Sequence, residues 1–105
     1  MIAFETVLRE VKGLDADELE RWIAVRWVKP ERRGEAYLFH EIDVARIHLI
    51  VELRHELMID DEAMPVVLQL LDQVYALRHR LNSLAQSIES LPPEIKEKLR
   101  AYFEA

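Results

Sequence analysis

The chain has 105 residues, half of them apolar, no cysteine, and a formal charge of −6 from 14 Lys and Arg against 20 Asp and Glu. That length supports one core of modest size, which a second subunit would steady, and the lack of cysteine excludes disulfides and thiolate metal ligands. The acidic balance disfavours non-specific attraction to phosphate and favours a partner with a basic face; no segment has the form of a signal peptide or approaches the ~20 apolar residues of a membrane span, so the expected compartment is the cytoplasm.

Phe4, Val7, Leu8 and Val11 fall at helical spacing and predict an amphipathic first helix, which Gly13 ends. Asp15 has the chemistry of an N-cap for a second helix, with Glu18 three residues on to complete a capping box. Leu19, Trp22, Ile23 and Arg26 continue at helical spacing, which turns Trp22 and Ile23 inward and leaves Asp17 and Glu20 on the outward face. Pro30 stops this element. Charge is segregated here: Asp15 to Glu20 holds four acids and no base, whereas Arg21 to Arg33 holds five bases against Glu31. The short run ERRGEAYLFH, with Gly34 and the alternating Tyr37 and Phe39, predicts a small β wing.

A third helix is expected over roughly Glu41 to Leu57, with Ile42, Ala45, Leu49, Leu53 and Leu57 on one stripe and Val44, Ile47 and Val51 on a flanking one. Asp60 or Asp61 is placed to cap a long final helix that tolerates Pro65 near its start. Along that helix Val67, Leu70, Val74, Leu77, Leu81, Leu84, Ile88 and Leu91 alternate by three and four, the pattern of a coiled-coil seam. So few elements cannot cover this stripe and a broad third helix together, so a homodimer through the long helix follows, with Val67, Leu70, Val74, Leu77, Leu81, Leu84 and Ile88 at the interface. Pro92-Pro93 breaks the helix and opens a terminal one carrying Ile95, Leu99 and Tyr102 or Phe103.

Residues 13 to 30, GLDADELERWIAVRWVKP, resemble the turn, second helix and exit of MerR-type winged helix-turn-helix proteins, whose pattern is close to G-V-S-x-R-T-L-R-Y-Y-E-x-x-G-L-L-x-P. In that family the two arginines of the pattern go to DNA; here those positions are Asp17 and Glu20. The resemblance implies a mostly α protein, a MerR-like winged helix-turn-helix region over residues 1–60 with a long C-terminal dimerisation helix and a terminal helix over 61–105, all one domain. At R-H-E-L, Arg54 to Leu57, it narrows. The run from Val51 to Leu81, with an acid at Asp60 and V-x-L-x-L-x-D at Val66 to Asp72, is similar to the CbpM family of chaperone-modulatory proteins.

That resemblance implies binding to the J-domain of a CbpA-type co-chaperone and restraint of its co-chaperone and DNA-binding activities. J-domains present a basic helix, so the contact is expected to offer carboxylates around an apolar centre. Arg54, Glu56, Leu57, Asp60, Asp61 and Glu62 are the candidate partner-binding residues, with Met58 and Ile59 beside them. The alternative is a MerR-like transcription regulator, in which Arg32 and Arg33 of the wing, with Arg21 or Arg26, would meet phosphates; specific readout is not expected, because Asp17 and Glu20 face the backbone. Trp22 and Trp27 are expected in the core rather than stacked on bases. No nucleophile–base motif or glycine-rich phosphate loop is present, and His48, Glu52 and His55 have poor spacing for one metal. No catalysis, cofactor, metal, membrane contact or small-molecule substrate is expected.

Overall fold

The first element is a two-residue strand, β1 (Ile2–Ala3), too short for alternation to reveal in the sequence. It pairs antiparallel with β3 (Ala36–Phe39), placing Ile2 opposite Phe39, and β3 pairs with β2 (Glu31–Arg33), so the sheet order is β1-β3-β2. The β2–β3 hairpin turns on Gly34 and Glu35. Gly34 has φ +63° and Glu35 is not left-handed, the signature of a turn with glycine at its first central position. The computed structural model describes residues 1–104, which divide into one unit over Met1–Val66 and a second from Val67 onward.

In the first unit, α1 (Phe4–Glu10) buries Val7 completely, and Val11 just beyond its end is also buried. The turn that follows needs Gly13 at φ +81°, where a Cβ would be strained. Asp15 caps α2 (Ala16–Ala24) by accepting from the Glu18 N–H at 2.8 Å. The Glu18 carboxylate does not close a capping box; it lies 3.3 Å from His55 Nε2.

The second helix ends earlier than Pro30. Trp27 N–H reaches the Trp22 carbonyl at 2.9 Å and Arg26 N–H reaches Ile23 at 3.1 Å, a Schellman closure with Arg26 left-handed at φ 66°. Arg26 is therefore outside the helical repeat. Trp22 and Trp27 are buried with ring centroids 6.3 Å apart, so both belong to the core.

Helix α3 (Glu41–Val51) buries Val44, Ile47 and Ile50, and Leu53 extends the row. The expected stripe led by Ile42, Ala45 and Leu49 is thus displaced around the helix: Ile42 is 55% exposed. Apolar residues sit on nearly every side of this helix, so periodicity alone does not fix its phase. Beyond it the chain widens into a π segment, Glu52–Glu56, rather than continuing as an α-helix to Leu57.

Asp60 accepts from the Ala63 N–H at 2.8 Å and leads into α4 (Met64–Glu89), whose 26 residues begin one position before Pro65. A proline there lies in the first turn, where its missing N–H has no partner to lose. After Glu89 the chain closes on Ser90 and Leu91, and α5 (Pro93–Glu104) opens with proline at its first position.

Candidate functional site

Helix α2 turns Leu19 and Trp22 into the core, which places Asp17 and Glu20 on its exposed face. Neither carboxylate has an ion pair or side-chain hydrogen bond among the described residues. Most of the cations that a DNA-binding reading would send to phosphates are occupied by contacts within the chain. Arg21 is ion-paired with Asp61, and Arg26 is part of the helix-terminating turn. On the hairpin, Arg32 lies with its guanidinium 5.5 Å from the Tyr37 ring centroid and its Nε donates to the Gly34 carbonyl at 3.3 Å. Arg33 is exposed and has no ion pair among the described residues. Of the two wing arginines, only Arg33 is left to meet a phosphate without first leaving another contact.

The RHEL segment divides into residues that hold the first unit together and residues that face outward. Arg54 Nη1 sits 2.6 Å from Asp61 and donates to the Ile59 carbonyl at 3.2 Å. Asp61 thereby joins Arg54 to Arg21, tying the π segment and the loop after it to α2. His55 lies over the Gly13 turn, where a Cβ on that glycine would stand 3.5 Å from its ring, and its other nitrogen faces Glu18. These are internal contacts, and those of Asp61 with Arg21 and of His55 with Glu18 and Gly13 span 37 or more residues of sequence, which hides them from motif reading.

What remains outward is the loop tip. Leu57 and Met58 are 65% and 78% exposed, and Met58 is left-handed at φ 56°, unusual for a non-glycine residue. The tip is fixed by the Ile59 N–H to the Leu53 carbonyl at 2.9 Å and by the Leu57 N–H to the Glu52 carbonyl at 3.1 Å. Glu56 and Glu62 flank it, both exposed and without ion pairs among the described residues. Of the six partner candidates, Glu56, Leu57 and Glu62 are presented to solvent, whereas Arg54 and Asp61 are paired with each other and Asp60 is a cap.

The seam residues of α4 form an apolar row open to solvent. Leu70, Val74, Leu77, Leu81 and Leu84 are each 45–64% exposed, with Val67 and Ile88 half-buried at its ends. Such a row is larger than the scattered apolar positions of an ordinary surface.

A family model described as MerR HTH family regulatory protein matches residues 4–86. The chain belongs to the MerR helix-turn-helix regulatory family. No curated protein and no solved structure matches it. The MerR match runs from α1 through most of α4 and stops short of α5. Within the matched residues, Asp17 and Glu20 give α2 an acidic outer face, and Leu19 and Trp22 are buried on its other side. No helix of the described residues is long and apolar enough to cross a membrane, and no three His, Asp or Glu side chains among them group as a metal site.

Proposed function

We propose that this MerR-family chain is directed at a protein rather than at an operator: a CbpM-like modulator that binds the J-domain of a CbpA-type co-chaperone and restrains its co-chaperone and DNA-binding activities. The observation that carries the reading is the exposed, unpaired Asp17 and Glu20 on the outward face of α2, where a DNA reader of this family places cations. A carboxylate facing phosphate loses a contact and adds repulsion, at roughly 1–3 kcal/mol per position. The loop tip supports the same reading. Leu57 and Met58 give an apolar centre, and Glu56 and Glu62 give the flanking charge that steers a basic partner.

The functional form is a homodimer in the cytoplasm, in which a second copy covers the row from Val67 to Ile88. A MerR-like DNA-binding regulator is the second reading, favoured by exposed Arg33 beside Arg32 on the hairpin. In that case affinity would be weak, non-specific and steeply lowered by salt.

The test is titration calorimetry of the intact chain against an isolated CbpA-type J-domain at two salt concentrations. Binding is expected to weaken with salt, because exposed charges are screened beyond ~10 Å at 0.1 M. Glu56→Lys with Glu62→Lys should slow association by about tenfold, the scale of electrostatic steering. No heat and no co-elution with such a domain would overturn the partner; binding insensitive to salt and to the double reversal would discard the loop tip.

A further inference from the structure

The start of α1, the outer side of α2 and strand β3 enclose a groove of about 260 Å³. Its floor is apolar and half-buried, made by Phe4, Tyr37 and Leu38, and its rim carries Glu5, Glu20 and Glu35, all exposed. None of the three glutamates has an ion pair or a side-chain hydrogen bond among the described residues. No cation lines the groove among the described residues, and Arg32 on the adjacent strand β2 is held against the Tyr37 ring. The space is below the ~300–1,000 Å³ of drug-sized ligand sites, so it fits one large side chain of a protein better than a whole small molecule. The rim's charge disfavours phosphate-bearing ligands, because carboxylates and phosphates repel.

We propose that this groove is a second docking site, separate from the Leu57–Met58 tip, for a basic segment of a partner protein. One apolar side chain of that segment rests on Phe4, Tyr37 and Leu38, and Lys or Arg residues on either side of it lie against Glu5, Glu20 and Glu35. Charge complementarity names the occupant: three unpaired carboxylates around an apolar floor select a cationic chain with an apolar anchor over a neutral or acidic one. The proposal does not depend on the J-domain assignment, since it specifies only the chemistry of the bound segment.

The experiment is a ¹⁵N–¹H correlation titration of the full chain with a capped peptide bearing one leucine between two pairs of lysines, alongside the same peptide with serine in place of leucine. Shifts are expected at Phe4, Tyr37 and Leu38, and the serine peptide should bind about tenfold more weakly, the loss of one buried aliphatic side chain. Glu20→Lys with Glu35→Lys should weaken the leucine peptide by about tenfold or more, whereas Glu56→Lys with Glu62→Lys should leave it within about twofold. Equal binding of the two peptides, or shifts confined to residues 56–62, would overturn the groove. So would a change in the protein's own mass on reversing Glu20 and Glu35, which would make a second copy the occupant. A J-domain that fails to bind in calorimetry while the leucine peptide fills the groove removes the J-domain reading alone; a J-domain that binds while the peptide pair shows no discrimination removes the groove alone.

Discussion

The two units of the chain handle their apolar residues in opposite ways. In Met1–Val66 the large apolar side chains are mostly inside: Val7, Leu19, Trp22, Phe39, Ile47, Ile50 and Met64 are all within 1% of complete burial. From Val67 onward, among the described residues, Leu68 is the one large apolar side chain that is buried, while Leu70, Leu77, Leu81 and Leu84 are more than half exposed. A row of leucines at heptad spacing on an open face is larger than the scattered apolar positions of an ordinary surface. The first unit holds most of the buried apolar side chains, and the second carries the open row that the proposed second copy would cover. Within the first unit the buried residues of α2, Leu19 and Trp22, and its exposed acids, Asp17 and Glu20, lie on opposite faces, and the proposed loss of DNA reading rests on that outer face alone.

Breaking each unit in its own way sharpens that contrast. Trp22→Ala should be the most damaging change, because the ring is 1% exposed and packs beside Trp27. A loss of about 3–5 kcal/mol is expected, a large part of a small domain's stability, read as a fall in the urea midpoint. Leu77→Asp with Leu81→Asp should instead spare the first unit. Its expected effect is dissociation, a rise of about 100-fold or more in the dimer constant from burying two carboxylates per chain in an apolar seam, seen by sedimentation with tryptophan fluorescence unchanged.

Smaller effects test the ties within the first unit. Asp61→Ala removes the shared partner of Arg21 and Arg54; because Asp61 is 43% exposed, the expected loss is only about 0.5–1 kcal/mol in thermal unfolding. Arg26→Gly should go the other way. A left-handed non-glycine residue costs ~1–2 kcal/mol, partly offset by the greater freedom of glycine when unfolded, so a gain of about 0.5–1 kcal/mol is expected in the same measurement.

Arg26 also shows what could be read without coordinates. Its position matches the second glycine of the MerR pattern, a direct signal that the backbone turns left-handed there, yet helical spacing through Leu19 and Trp22 masks it. The Asp15 cap, the Gly13 turn, the core positions of both tryptophans and the open row on α4 were legible because each is set by local spacing or by a residue's own backbone preference. Three things were not. Strand β1 is too short to show a period, and the phase of α3 is hidden by apolar residues on most of its faces. The division of the RHEL segment into inward and outward residues depends on contacts with α2 and the Gly13 turn far away in sequence. By charge alone Asp61 and Glu62 are alike, but one lies between two arginines and the other faces water.

The most direct test of a scaffold kept and a reading face recharged is fluorescence anisotropy of the intact chain, at about 150 mM salt, with labelled duplex DNA and with a labelled CbpA-type J-domain. Saturable binding of the J-domain is predicted, with DNA binding weak, insensitive to sequence and absent as salt rises further. Sequence-selective DNA binding in the 10⁻⁸–10⁻¹¹ M range typical of specific complexes, together with no J-domain binding, would contradict the account.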